Sequence, residues 1–167
     1  INTECGKSSC NAPCGNGLVS SNEACDDGVS PPNDGCSSKC TVECGFDCGT
    51  AEPSDCQSSC GDGVQASNEG CDDNNTGDND GCSSDCTIET GWSCTTQTCG
   101  ETTCEEVCGD GIKVGDETCD DQDTDNDDGC SSECTVECGF DCGTAEPSDC
   151  TSSCGDGFLV AQDEDCD

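Results

Sequence analysis

The stretch TVECGFDCGTAEPSDC occupies residues 41–56 and recurs without a change at residues 135–150. A shorter and looser copy, TIETGWSC, lies between them at residues 87–94. Outward from these copies, the tetrapeptide CGDG or CGNG returns every 46 to 48 residues. Self-similarity at such a period indicates a repeat array, so the sequence predicts a string of small units and not one domain.

The predicted array contains three complete units and two partial ones, and a GFDC variant of the unit alternates with a GWSC variant. We expect the chain to be part of a longer polymer of repeats. The complete units are residues 10–55, 56–103 and 104–149, with the end of a preceding repeat at 1–9 and the start of a further one at 150–167.

The composition indicates that crosslinks, and not an apolar core, hold each unit together. Cysteine accounts for 25 of the 167 residues, whereas only three Phe and one Trp are aromatic. Burying so few apolar side chains, at about 25 cal/mol per Å², does not offset the entropy of ordering the chain. Small domains that can bury so little apolar surface rely on disulfides or bound metal. We therefore predict small disulfide-rich tandem repeats with little regular secondary structure, arranged as elongated beads on a string.

The cysteine spacing favours disulfides over bound zinc. The closest cysteine pairs, such as Cys36 and Cys40, are separated by three residues, whereas zinc sites favour CxxC. The chain also has no histidine to complete a mixed zinc site. Disulfides form in oxidising compartments, so the predicted location is secreted or at a cell surface.

Six cysteine positions are shared by the complete units, and an even number allows each unit to close on itself with three bridges. We expect all of them to be oxidised, although six cysteines allow fifteen connectivities. The shared positions are Cys10, Cys14, Cys25, Cys36, Cys40 and Cys48, then Cys56, Cys60, Cys71, Cys82, Cys86 and Cys94, then Cys104, Cys108, Cys119, Cys130, Cys134 and Cys142.

Four further cysteines occur in only one variant or its preceding linker: Cys5, Cys44, Cys99 and Cys138. We expect them to pair across unit boundaries. The prediction is Cys5–Cys44 and Cys99–Cys138, since both pairs are separated by thirty-nine positions. The alternative is Cys44–Cys99, which leaves Cys5 and Cys138 for neighbouring units or other chains.

The charge of the chain excludes several classes of partner. The net charge is −36, from 39 acidic residues against three lysines. Nucleic acid and anionic membranes are therefore not expected as direct partners, because phosphate contact needs clustered Lys or Arg. Self-repulsion on this scale opposes compaction unless cations neutralise it.

Each complete unit carries a ten-residue acidic loop that begins with two aspartates and ends with Asp-Gly. The first, second and third acidic loops span residues 26–35, 72–81 and 120–129. Closely spaced oxygen ligands with a glycine turn suit Ca²⁺. The predicted calcium ligands are Asp26, Asp27 and Asp34, then Asp72, Asp73 and Asp80, then Asp120, Asp121 and Asp128. The alternative is a solvated loop whose aspartates cap turns.

Three further acids recur in frame and are candidates for the same ion: the Glu of each NE, DE or equivalent pair, the aspartate of CGDG, and the Glu before each GFDC or GWSC. These acids are Glu23, Glu69 and Glu117, then Asp62 and Asp110, then Glu43, Glu89 and Glu137.

We also expect short strands or one helical turn at residues 17–24, 63–70 and 111–118, and an aromatic ring over a disulfide in each unit.

The succession of CGDG, CDD, DGCSSxC and G-[FW]-x-C resembles the Myxococcus-type cysteine-rich repeat, a family of unknown function found in secreted and surface proteins. More distantly, it is similar to Lin-12/Notch repeats, which combine three disulfides with a calcium ion held by Asp and Asn. The resemblance implies an extracellular repeat and supplies no activity. The alternating extra cysteines and Asn16 depart from the family pattern.

We expect a structural protein that is stiffened by calcium and forms or coats a filament, appendage or cell surface. Its partners would be other copies or neighbouring repeats, because near-identical units favour a repeated lateral contact. The alternative is a binding or adhesive module of a large secreted or surface receptor. An enzyme is not expected, since the chain lacks His, Tyr and Arg. Glycans are a further expected attachment, with a sequon at Asn74-Asn75-Thr76.

Overall fold

Glycine, aspartate, asparagine and serine recur too often in each unit for long helices or strands to form. The computed structural model describes residues 13–28, 33–97, 99–152 and 157. Within these residues there are six short strands and no helix, and therefore no helix that could span a membrane. Cys5, Cys10, Cys154 and Cys166 lie outside the described residues, as does the middle of the first acidic loop, 29–32.

The strands form three separate two-stranded antiparallel sheets. In each sheet one cysteine lies directly opposite another, and the two form a disulfide across the ladder, as between Cys48 and Cys56. The strand pairs are β1 (Phe46–Cys48) with β2 (Cys56–Ser58), β3 (Trp92–Thr95) with β4 (Thr103–Glu106), and β5 (Phe140–Cys142) with β6 (Cys150–Ser152). The predicted fold class of small disulfide-rich repeats is confirmed.

The strands are not where the sequence predicted them. Residues 63–70 form turns, because side-chain oxygens bind the backbone N–H groups that a strand would offer to a neighbour. Asp62 Oδ1 accepts from Val64 N at 2.9 Å, and Glu69 Oε2 accepts from Ala66 N at 2.8 Å. Residues 17–24 and 111–118 form the same turns, so the prediction of strands or a helical turn in these three segments is wrong.

Disulfides occupy the centre of each repeat, where a larger domain would place apolar side chains. In the first repeat Cys25, Cys36 and Cys40 are almost completely buried, and the 25–36 bridge lies within the loop closed by the 14–40 bridge. The same nesting recurs as Cys71–Cys82 inside Cys60–Cys86 and as Cys119–Cys130 inside Cys108–Cys134.

An aromatic ring lies beside the cross-strand disulfide of each sheet, as expected. The glycine that ends each acidic loop makes room for both groups. A Cβ on Gly81 would collide with Cys104 and lie 3.0 Å from the Trp92 ring. Gly35 and Gly129 stand in the same relation to Phe46 and Phe140. The Asp-Gly ending of the acidic loop is therefore a packing requirement as well as a turn.

Two expectations about the disulfides are corrected. Every shared cysteine among the described residues is bonded, but the Cys48–Cys56 bridge and its two counterparts join residues that were assigned to different units. The units as drawn from the sequence therefore do not close on themselves, because the linker is the loop of a β-hairpin and its two ends face each other. The counterparts of Cys48–Cys56 are Cys94–Cys104 and Cys142–Cys150.

The extra cysteines pair as Cys44–Cys99, and the predicted Cys99–Cys138 bridge is wrong. Because Cys44 is bonded to Cys99, the predicted Cys5–Cys44 bridge is wrong as well. The physical reason is that the long linker turns back on the second repeat, where Gln65 N donates to Gly100 O at 3.1 Å. Cys138 is exposed and is the one free cysteine of the described part of the chain.

Candidate metal site and inter-repeat junctions

The first aspartate of each acidic loop is fully buried and binds backbone, not solvent. Around Asp72, the amides of Gly61 and Asp62 donate to Oδ2 at 2.9 and 3.3 Å, and those of Gly63 and Asn74 donate to Oδ1 at 2.8 and 3.0 Å. Positive φ angles at Gly61 and Gly63 turn these N–H groups toward one point, which forms an anion-binding nest. The CGDG tetrapeptide is therefore the receptor for this carboxylate.

Asp26 and Asp120 bind their own CGNG and CGDG turns in the same way, with four backbone donors each. Burial acts to raise the pKa of Asp26, but its four amide donors outweigh burial and leave that pKa below the usual aspartate value. A carboxylate has about four lone-pair positions, so these three aspartates have no oxygen left for a cation.

The second and ninth residues of each acidic loop bring two further carboxylates together. Burial, followed by the charge and a hydrogen bond of Asp27, raises the pKa of Asp34. In the second loop, burial is again the main cause of the raised pKa of Asp73, and the charge of Asp80 adds to it. Asp34 Oδ1 is buried and has no hydrogen-bond partner among the described residues. Either a proton or a cation would relieve the repulsion between paired carboxylates of this kind.

The third acidic loop has the same pair in Asp121 and Asp128. Burial raises both pKa values, and the neighbouring carboxylates raise them further. Asp123 joins the pair, with oxygens of all three side chains within 4.8 Å of one another. Asp121 Oδ1 is buried and finds no hydrogen-bond donor within the described ranges.

The second loop has an amide in place of this third carboxylate. Asn75 Nδ2 donates to Asp73 Oδ2 and to Asp80 Oδ2, each at 3.0 Å. The amide thus stabilises the two carboxylates with hydrogen bonds from within the chain. The sequence analysis placed the predicted ligands at the fixed aspartates alone and missed this position. The available signal was that Asn75 and Asp123 occupy the fourth place of their loops.

The glutamate before each GFDC or GWSC closes the end of the acidic loop. Glu89 Oε2 accepts from the amides of Asn79, Asp80 and Gly81 at 2.8 to 3.1 Å. Glu43 and Glu137 bind the ends of the other two loops similarly. The amide of Asp127 is the main cause that holds the pKa of Glu137 below its usual value. These glutamates therefore position the loops and are not free ligands.

The remaining in-frame acids cap local turns. The CGDG aspartates Asp62 and Asp110 accept from the amide two residues on, and Glu23, Glu69 and Glu117 accept from the amide three residues before. Burial raises the pKa of Glu117, whose Oε1 has no partner in the described structure. The sulfurs of Cys108 and Cys134 lie within 4.8 Å of its carboxylate, but they form a disulfide and are not thiolates.

The donor set that remains is made of oxygen alone, which suits hard cations such as Ca²⁺ or Mg²⁺ and not zinc. Of the nine predicted ligands, the structure brings together the second and third of each loop and directs the first to the backbone. The pairs are Asp27 with Asp34, Asp73 with Asp80, and Asp121 with Asp128.

Two junctions between repeats in the described part of the chain form a groove beside the Glu-x-Gly turn of the earlier repeat. The first junction encloses about 420 Å³, and Cys44 and Cys99 line it together with Gln65 and Ala66. The second encloses about 300 Å³, and Thr90 stands there in the place of Cys44. Trp92, Lys113 and Val114 are among the residues that line the second groove. The junctions are thus equivalent in position, and one is crosslinked.

The family model for a domain of unknown function, DUF4215, matches residues 1–41, 42–87 and 89–135. The chain belongs to the DUF4215 family. In this division each of the last two DUF4215 repeats contains both partners of three disulfides, for example Cys48–Cys56, Cys60–Cys86 and Cys71–Cys82 within 42–87. The comparison with curated proteins and that with solved structures gave no match.

Proposed function

We propose that this DUF4215 array is an extracellular structural protein whose crosslinked repeats form or coat a filament, appendage or cell surface. The single observation that carries the proposal is the Cys44–Cys99 bridge. It closes a stretch of 55 positions around the whole of the second nested pair of disulfides. A bridge of this kind limits bending between repeats, which is what a stiff rod requires.

Hydrogen bonds across each linker support the same role. Ser54 N donates to Asp26 O at 2.7 Å, and Asp26 N donates to Ser54 Oγ at 3.0 Å. Thr102 with Asp72, and Ser148 with Asp120, repeat this exchange. Each linker is therefore anchored to the loop that precedes it, so the string of beads has ordered connections.

The proposed partners are other copies of the chain or neighbouring repeats. A net charge of −36 opposes both nucleic acid and anionic membranes, and it makes close association of copies dependent on cations. The absence of His, Tyr and Arg supports a non-catalytic protein. The abundance of disulfides and the resemblance to Myxococcus-type and Lin-12/Notch repeats support secretion or surface display. The exposed Asn74 of the sequon is available for a glycan.

We further propose that calcium stiffens the array, with Asp121, Asp123 and Asp128 as its strongest site. The pairs Asp27 with Asp34 and Asp73 with Asp80 provide two carboxylates each and would bind more weakly. This revised set omits Asp26, Asp72 and Asp120, whose carboxylates are fully occupied by amides. Ca²⁺ would complete its coordination with backbone oxygens and water.

Small-angle scattering and electron microscopy test the structural role. We expect extended particles with a narrow length distribution in calcium, and regular fibres when the concentration rises. A Cys44→Ser/Cys99→Ser variant is the matched control, since it removes one junction crosslink and leaves the nested bridges. The proposal is contradicted if the two proteins show the same distribution of end-to-end lengths and neither associates.

The second candidate function is an adhesive or binding module, and the open groove at the second junction favours it. Trp92, which offers an aromatic face, and Lys113, one of three cations in the chain, line the same groove. Array screening against glycans and acidic peptides tests this role. Binding that is lost in Trp92→Phe, with dispersed particles in microscopy, would favour the adhesive module over the structural protein.

A further inference from the structure

The disulfides of the array differ in how far solvent reaches their sulfur atoms. Cys99 is exposed, whereas every other bonded cysteine of the described residues is buried or half-buried. The nested bridges lie deepest, with Cys71 fully buried and Cys82 1% exposed. A thiolate must reach a sulfur atom to open a disulfide, so access favours reduction of the Cys44–Cys99 bridge over that of the others.

Carboxylates add a second barrier at the outer bridge of each nested pair. Cys86 Sγ lies 4.0 Å from Asp72 Oδ2, and a carboxylate oxygen of Glu69 lies within 4.8 Å of both atoms. Negative charge this close to a buried sulfur disfavours both an attacking and a departing thiolate. Glu43 and Glu69 also line the groove at the first junction, but that groove is open to water, which screens their charge. The same arrangement recurs with Glu23 and Asp26 beside Cys40, and with Glu117 beside Cys108 and Cys134.

The cross-strand bridges are half-buried and are covered by their own hairpins. Cys104 and the Trp92 ring pack together against Gly81, so the ring limits access to the sulfur atoms of this bridge. Strand pairing also holds Cys94 directly opposite Cys104. A bridge of this kind that opens therefore keeps its two cysteines in place to close again.

The second junction shows what a junction without a crosslink looks like. Thr90 stands there in the place of Cys44, yet β3 and β4 still pair along four residues. Val107 N donates to Gly91 O at 2.9 Å, and Asp116 N donates to Glu106 Oε1 at 2.7 Å. The hairpin and its contacts with the next repeat therefore form without a bridge, so opening the bridge at the first junction should leave the repeats on either side folded.

We propose that the Cys44–Cys99 bridge is a reversible, redox-sensitive crosslink, which a dithiol reductant opens while the other disulfides of the described residues stay closed. A reductant thiolate attacks the exposed Cys99 sulfur and releases Cys44 as a thiolate, which takes up a proton. The second thiol of the reductant then resolves the mixed disulfide. One protein disulfide becomes two thiols, and one dithiol becomes a disulfide. The inference rests on the proposed structural role, to which it adds regulation of bending at the first junction.

The test exposes the full oxidised chain to dithiothreitol for graded times. New thiols are blocked with N-ethylmaleimide, and the remaining bridges are then reduced and labelled with a heavy form of the same reagent. Peptide mass spectrometry should show Cys44 and Cys99 blocked together about tenfold faster than Cys60 and Cys86, the outer bridge of the same repeat. Transfer to a glutathione redox buffer should restore the Cys44–Cys99 bridge. Equal rates, earlier opening of a nested bridge, or a pair that does not close again would overturn the proposal.

The Cys44→Ser/Cys99→Ser variant is the matched control for the open state. Hydrogen exchange in the second repeat should be the same in this variant, in the selectively reduced chain and in the oxidised chain. Loss of protection there would overturn the proposal, because the bridge would then belong to the fold of the repeat. Small-angle scattering on the same samples reports the structural role separately. Lengths that do not change on selective opening would contradict that role alone, and unselective reduction would contradict the redox-sensitive crosslink alone.

Discussion

The second and third acidic loops share a frame and differ in how they neutralise the charge inside it. Both begin with a buried aspartate bound by backbone amides, and both end under a glutamate. Between these anchors, Asn75 bridges two carboxylates with its amide, whereas Asp123 adds a third carboxylate to the equivalent pair. The second loop thus holds two carboxylates bridged by hydrogen bonds, whereas the third holds three carboxylates close together.

The difference shows that the anchors and the variable middle have separate roles. The two anchors are the buried aspartate at the start of the loop and the glutamate at its end. Both accept hydrogen bonds from backbone amides, and these bonds determine the path of the loop. On the calcium proposal, the residue in the middle of the loop determines how strongly the loop binds a cation. The predictions below test this division, beginning with the anchors.

The largest effect is expected from the shared anchor, because Asp120 accepts four backbone hydrogen bonds. Asp120→Asn turns an NH₂ group toward amide donors and should lower the free energy of unfolding by about 3 kcal/mol. Asp72→Asn should cost a similar amount, since its donors are the same. Denaturant unfolding of the disulfide-intact protein measures both. The control is Asp125→Asn, an exposed aspartate in the same loop, and an equal loss there would refute the anchor role.

The middle of the loop should decide calcium affinity. Asp123→Asn is expected to weaken the third site about tenfold, or about 1.4 kcal/mol. Asn75→Asp should strengthen the second site by a similar factor, because it replaces an amide donor with a carboxylate. Isothermal titration calorimetry on the two variants and the parent chain makes the comparison. Unchanged affinities in both variants would show that these loops do not bind calcium through this position.

The glutamate at the end of each loop should contribute less to the free energy of unfolding than the buried aspartate at its start, because the glutamate is nearer to solvent. Glu137→Gln and Glu89→Gln are each expected to lower the free energy of unfolding by about 1 kcal/mol. Because the folded pKa of Glu137 is lowered, its stabilisation is present above the unfolded pKa and is lost as pH falls through the folded value. Glu133→Gln, at an exposed site, is the control. Different losses in the two loops would contradict a shared anchor.

The smallest effect concerns pH. The folded pKa values of Asp121 and Asp128 are raised, so protons compete for these carboxylates at a higher pH than for ordinary aspartates. Calcium affinity at the third loop should fall as pH decreases toward those values. Without calcium, the same protonation stabilises the fold: the gain is complete below the unfolded pKa and is lost as pH rises through the folded values.

Calcium titration across pH checks this prediction. In Asp123→Asn the competition should begin at a lower pH, because the charge of Asp123 contributes to both raised pKa values. A profile that does not move in this variant would show that the three carboxylates do not act together.

The repeat period and the disulfide-rich fold were predictable, because cysteine spacing records them directly. Connectivity was not. The two cysteines of Cys5–Cys44 and of Cys99–Cys138 are separated by the same number of positions, which favoured these pairs. Separation along the chain, however, does not determine the path of the backbone. The long linker folds back on Gln65 and brings Cys99 to Cys44. The bond that holds the linker against Gln65 joins a backbone amide to a backbone carbonyl, so it has no signature in side-chain identity.

The candidate site was predicted in part for a similar reason. Fixed aspartates indicated a loop of defined shape, and the structure pairs the second with the third in every loop. The role of the first aspartate was not visible, since its partners are backbone amides that converge only when Gly61 and Gly63 take positive φ angles. The CGDG motif and the CDD motif are two halves of one contact, and sequence reading treated them separately.

The exchange between each buried aspartate and the linker has a consequence for how the array is made. Asp26 N donates to Ser54 Oγ and Asp26 O accepts from Ser54 N, and Ser54 is synthesised 28 residues later than Asp26. A repeat that has just emerged from a ribosome or translocation channel therefore still lacks one wall of its interior. Each linker completes the repeat before it, so we expect folding to proceed from the amino terminus with a lag of 28 residues, and a chain stalled during synthesis to end in an unfinished repeat.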